Sequence, residues 1–291
     1  MCIVVVTLIA VLATIGAVQN WQTGATIVSW RQVATSTFIP LPIVMLVNLA
    51  CAFTTLYTLL HVYFDANGIE LRYLDVRITL IHLRRWTTFT VWCFTLLFFY
   101  FALATFCSAV ALFTRGDIIP NAVVVLTLIL FEISYPTSLL VTIVVNFVLL
   151  PVALKNHYPT ARMFRWRPLI MHNLNVLMMQ IAMLMTAPPI TFAHLSYVLI
   201  FGCAYAIFAW YWFIRTGIFY YFFLDYRRPY AVFVYIGLLV VLVSFYGLGY
   251  LIATFVHQEH SRWWTYPGIM IGTLCLTRFR APRVDSHPPN L

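Results

Sequence analysis

The chain has 291 residues, of which 63% are hydrophobic and only 9% charged, with a formal net charge of +9. A mean hydropathy of +0.92 excludes a soluble globular domain, whose apolar residues are balanced by a charged surface. The positive charge is not a nucleic-acid signature: apart from Lys155 it is carried by arginines set between apolar runs, where basic residues orient membrane spans.

In hydrocarbon the backbone must satisfy its own hydrogen bonds, so long unbroken apolar runs mean helices. The sequence predicts an all-α, polytopic transmembrane bundle forming a single domain. Spans of roughly 20 apolar residues are expected at 3–18, 39–63, 87–113, 122–152, 168–186, 190–214 and 230–256. A short segment at 263–277 and an extended tail at 278–291 follow. The first run lacks a basic flank and a small-residue cleavage pattern, so it reads as an uncleaved helix.

Basic residues alternate along the connections: Arg31 alone; Arg72, Arg77, Arg84 and Arg85; Arg115 alone; Lys155, Arg162, Arg165 and Arg167; none; then Arg215, Arg227 and Arg228. This pattern puts the loops around Arg84, Arg165 and Arg228 on the cytoplasmic or matrix side. Arg262, Arg278, Arg280 and Arg283 break it unless the segment 263–277, interrupted by Pro267 and Gly268, dips into or crosses the membrane. Trp21, Trp30, Trp86, Trp166, Trp263 and Trp264 fall near expected span ends, as an interface belt does. The six cysteines show no metal-ligand spacing, so neither disulfide, metal nor cofactor is expected. With no Asn-x-Ser/Thr sequon, the chain suits the mitochondrial inner membrane as well as the endoplasmic reticulum.

Polar groups at membrane depth are costly and therefore the best functional leads. Glu132 is the only acidic residue well inside a run, with Pro136 one turn later freeing its carbonyl. It reads either as a carboxyl joining helices or as an orienting or proton-handling group. The fifth run, RPLIMHNLNVLMMQIAMLM, carries His172 and Asn175 on one helix face and Asn173 and Gln180 on a neighbouring one. Such a stripe either bonds helices together or presents His172 as a general base. Thr90, on one face with Trp86 and Phe94, is the candidate nucleophile. In GIFYYFFLDYRRP, residues Tyr221, Asp225, Arg227 and Arg228 gather at a span end, where an anionic lipid headgroup is the natural partner.

Three of these segments, in order and spacing, resemble the rolling stone family and, more distantly, the androgen-induced-protein-like membrane proteins. Trp86, Thr90, Trp92 and Thr95 match the family's Trp-x-x-x-Thr-x-Trp-x-x-Thr, and His172, Leu174 and Asn175 its His-x-Leu-Asn. Tyr221, Leu224, Asp225, Arg228 and Pro229 match its Tyr-Pro-x-Leu-Asp-Trp-x-Lys-Pro, with Phe222 in place of the first Pro and Tyr226 in place of the Trp. In the androgen-induced branch the resemblance implies intramembrane hydrolysis of fatty-acid esters by a Thr nucleophile and a His partner. The Thr falls on Thr90, but the catalytic second His of that branch falls on Asn175, which cannot accept the nucleophile's proton. This departure places the chain nearer the rolling stone branch.

Two functions follow. One is a non-catalytic scaffold or accessory subunit of a larger membrane assembly, contacting lipids and other membrane-protein subunits. The other is a lipid ester hydrolase in which Thr90 attacks, His172 acts as base and Asn175 or Glu132 orients it.

Overall fold

The computed structural model describes residues 2–22, 28–65, 69–73, 76–114, 118–258 and 264–281. Arg115, Arg262, Trp263, Arg283 and the tail beyond 281 lie outside the described residues.

Helix α1 spans Cys2–Gln22, a short α2 Trp30–Ala34 and α3 Leu41–Phe64. A small antiparallel hairpin follows, β1 (Ile69–Tyr73) on β2 (Val76–Leu80), pairing Arg72 with Arg77 in register. Next come α4 (Phe89–Thr114) and α5 (Asn121–Ile143), the latter continued by a π-helical stretch, Val144–Leu149, into α6 (Leu150–Lys155). The fifth span opens as α7 (Trp166–Leu169), passes through a π-helical turn at Ile170–Leu174, and ends as α8 (Asn175–Thr186). Helices α9 (Leu195–Thr216), α10 (Ala231–Gln258) and α11 (Thr265–Leu276) complete the chain. Seven helical spans are long and apolar enough to cross a membrane. This is an all-α polytopic bundle, and the protein is a membrane protein.

Helix α5 is its mast. Every residue from Leu130 to Thr142 is buried, as expected of a helix apolar all round and covered on all sides. Some of its hydroxyls turn back on the helix: Thr137 donates to the Ile133 carbonyl at 2.7 Å, and the Thr142 hydroxyl lies 2.9 Å from the Ser138 carbonyl. Against it, Phe94, Tyr100 and Phe101 of α4 and Val176, Met179 and Met183 of α8 form the tightest part of the core. Outward faces are apolar as well; Phe53, Phe113 and Phe233 stand free on the surface, the inverse of a soluble protein and what lipid contact requires.

The connection from α8 to α9 is sunk into the bundle. Helix α8 stops at Ala187, whose left-handed φ of 42° turns the chain before Pro188 and Pro189. The following Thr191 and His194 reach Glu132, which lies eleven residues beyond the start of α5 at Asn121. Helix α11 runs antiparallel to α8. Its Thr273 hydroxyl meets Gln180 Oε1 at 3.3 Å, and Arg278, just past its end, donates its N–H to Asn173 Oδ1 at 2.9 Å. At 12 residues it covers about 18 Å of the ~30 Å hydrocarbon thickness.

Candidate functional site

The polar stripe of the fifth span is engaged along most of its length. Asn173, in its π-helical turn, accepts from Asn146 Nδ2 at 2.7 Å, and Asn146 sits in the π-helical stretch of the fourth span. The same Asn146 amide donates to the Leu276 carbonyl at the end of α11, 3.0 Å away. Asn175 Oδ1 accepts from the Thr142 hydroxyl at 3.2 Å. Gln180 Oε1 accepts from Tyr135 at 2.9 Å. These bonds tie α5, the fifth span and α11 together, which is how amides at membrane depth commonly serve. His172 differs, since its Nδ1 is buried without a hydrogen-bond partner among the described residues.

Thr90 belongs to another place. It lies on the wall of a crevice that encloses about 780 Å³ with the open space at its mouth included. One wall is α5 and its π-helical continuation, with Leu140, Val141 and Val144; the opposite walls are α9 at Gly202 and Cys203, and α10 at Leu239 and Leu242. Gly202 permits this closeness: a Cβ there would stand 3.2 Å from Leu242 Cδ2. The lining is almost wholly apolar, relieved by Thr90, Tyr205, Tyr221 and Tyr235. His172 is not part of it, and no hydrogen bond among the described residues joins His172 to Thr90.

At the mouth, a 3-10 turn at Phe222–Leu224 lays Tyr221 and Phe223 over the crevice. The turn is fastened from α10 by Tyr235, whose hydroxyl donates to the Leu224 carbonyl at 2.6 Å and accepts from Trp210 Nε1 at 2.7 Å. Burial pushes the Tyr221 phenol up to about 12, opposed by the neighbouring Thr90 hydroxyl, so it stays neutral. Asp225 follows directly. Arg227 grips its carboxylate with two parallel bonds of 2.8 Å and lies over the Phe213 ring, 4.6 Å from its centroid. Hydrogen bonds from Arg227 hold the Asp225 carboxyl below the usual carboxylate range, against a smaller effect of burial. Arg228 stands further off, its Nε 3.8 Å from Asp225 and its side chain half exposed. The turn thus presents an aromatic cover, an internally paired Arg227 and a less committed Arg228.

A third polar cluster centres on Glu132. Its Oε2 lies 2.6 Å from His194 Nδ1, and its Oε1 accepts from the Thr191 N–H at 3.2 Å and meets the Tyr246 hydroxyl at 3.0 Å. Glu132 is bonded to neither His172 nor Asn175. Of the residues singled out from sequence, the structure brings Thr90 together with Tyr221, joins Asp225 to Arg227 and Arg228, and leaves His172 apart from both groups. Asn146, His194 and Tyr246 went unread; Asn146 meets the same criterion, a polar residue inside an apolar run, that singled out Asn173.

Compared with protein-family models, curated proteins and solved structures, the chain matches none.

Proposed function

We propose that the protein is a non-catalytic membrane protein that holds a lipid chain in the crevice between α5, α9 and α10, as an accessory subunit of a larger membrane assembly. The observation that carries this reading is the separation of Thr90 from His172: an apolar crevice opens onto the hydroxyl without including the base that ester cleavage needs. The amides of the fifth span are engaged in joining helices, which suits a scaffold. The exposed Arg228 beside the crevice mouth suits an anionic headgroup of the bound lipid. The reading agrees with the rolling stone branch of the resemblance, and with arginine-rich loops on the cytoplasmic or matrix side of an endoplasmic reticulum or mitochondrial inner membrane.

One observation favours the hydrolase instead, namely that Thr90 does face the crevice. Purification in mild detergent followed by lipid mass spectrometry separates the two. Wild-type protein is expected to co-migrate with partner subunits and carry a stoichiometric lipid, which Val141→Trp, filling the crevice, expels. A lone, lipid-free protein sinks the proposal, and covalent labelling of Thr90 by a fluorophosphonate probe establishes the hydrolase in its place.

A further inference from the structure

The Glu132 cluster leaves titratable atoms buried without partners among the described residues. The Tyr246 hydroxyl lies 2.6 Å from the Thr191 carbonyl and 3.0 Å from Glu132 Oε1, both of them acceptors for its proton. On the far side of the pair, His194 Nε2 is fully buried and has no partner among the described residues; the same is true of the Thr191 Oγ1 and Tyr197 hydroxyls on the same short stretch. A buried imidazole serving only as a joint would satisfy both nitrogens. Here one nitrogen is held by Glu132 and the other is kept open beside Tyr197, whose ring centroid is 5.7 Å from that of His194.

We infer that Glu132 and His194 form a proton-binding site that loads through His194 Nε2, the nitrogen of the pair left without a partner among the described residues. The unloaded site is a carboxylate accepting from Nδ1–H of a neutral imidazole. One proton, given up by hydronium with release of water, is added at Nε2, and the Nδ1 proton passes to Oε2. The product is a neutral carboxylic acid beside an imidazole protonated on Nε2. One proton enters, none leaves, and the site's net charge goes from −1 to zero, the direction a low-dielectric interior favours.

The groups around the site bear on this charge. From α10 comes the Tyr246 hydroxyl, and α9 brings Tyr197, whose ring lies beside that of His194. Among the described residues no arginine or lysine bonds to Glu132, so His194 is its one basic partner. The inference rests on this cluster and is independent of the crevice.

Infrared difference spectroscopy on the protein in phospholipid nanodiscs tests it. Acidification in D2O is expected to raise a protonated-carboxyl band that E132Q lacks. His194→Gln keeps an amide donor toward Glu132 but removes Nε2, and is expected to slow the loading by about a hundredfold, the low end of what a positioned proton-transfer group contributes. A wild-type band that does not respond to pH, or H194Q loading at the wild-type rate, overturns the site. If H194Q does not fold, labelling of wild-type Glu132 by a hydrophobic carbodiimide, which requires the protonated acid, is the second measurement. Labelling that rises on acidification supports the site, and labelling flat with pH refutes it.

Discussion

The side-chain amide of Asn146 donates to that of Asn173 at 2.7 Å, and each asparagine sits in a π-helical stretch of its own span. A π-helical turn inserts a residue and re-aims its side chain, which is why such turns collect where geometry matters. Here two facing turns aim two amides at each other, and the Leu276 carbonyl and Arg278 N–H of the last segment complete the set.

Replacing Asn173 with Leu leaves Asn146 and Arg278 N–H without their acceptor. A loss of about 1–3 kcal/mol is expected, read as a lower Tm in detergent, together with faster proteolysis after Leu276. The double variant N146L/N173L is expected to recover part of the loss, with a coupling of about 0.6–1.7 kcal/mol. Strictly additive losses refute the pairing.

Arg85 is wholly buried, and its guanidinium donates to the carbonyls of Val62, Leu80 (3.1 Å) and Asp65 (2.7 Å), while Asp65 is also bonded to Arg167. Burial pulls the guanidinium below its ordinary value and Asp65 opposes this, so the ion pair keeps it charged. Arg85→Met strands three carbonyls and is expected to cost about 3–5 kcal/mol. Arg85→Lys is expected to fail nearly as badly, since a point charge cannot fork to three acceptors. Thermal unfolding of both variants checks this; a rescue by Lys contradicts it.

Two glycines two residues apart on α10 make an internal control. A Cβ on Gly249 would stand 2.9 Å from the Tyr135 ring, whose hydroxyl is committed to Gln180, whereas one on Gly247 would meet nothing within 4 Å. Gly249→Ala is therefore expected to cost about 1–3 kcal/mol. Gly247→Ala is expected to be neutral or, by helix propensity, stabilising by up to about 1 kcal/mol. Equal effects in an unfolding assay speak against close packing of α10 on α5.

Asp225 gives the crevice mouth a pH dependence. Its carboxyl is held low by Arg227, so its contribution is present above the unfolded value of about 3.9 and is lost as pH falls through the lower folded one. The turn at Phe222–Leu224 is expected to loosen only below about pH 4, seen as exposure of Tyr221 to a water-soluble quencher. In D225N that exposure should already be present at neutral pH, and a quenching profile unchanged by the substitution argues against the role.

The bundle was legible because apolar runs of span length leave few alternatives in hydrocarbon. Asn173, Asn175 and Gln180 were legible for the same reason in reverse, as polar residues inside such a run. Their partners were not, because spacing within one helix carries no information about which residue of another helix faces it. Glu132 illustrates the limit. Its partner His194 follows Pro188 and Pro189 at an expected span boundary, and only the left-handed turn at Ala187 brings it down into the bundle. No residue pattern announces that turn, since alanine is an unusual occupant of it.

The sunken connection makes the protein unequal in thickness. Glu132 marks where α8 and α9 meet, yet α5 runs on from there to Asn121, about 16 Å, and α10 runs on from Tyr246 to Gln258, about 18 Å. On the α1 side, Asn20 near the end of its helix bonds to Ala193, at the same level. Lipids on the flank of α1 and α9 therefore face a shorter wall than α10 presents beside it. A bilayer accommodates such mismatch by thinning locally or by tilting the protein. Either response draws the water surface toward the connection that carries His194.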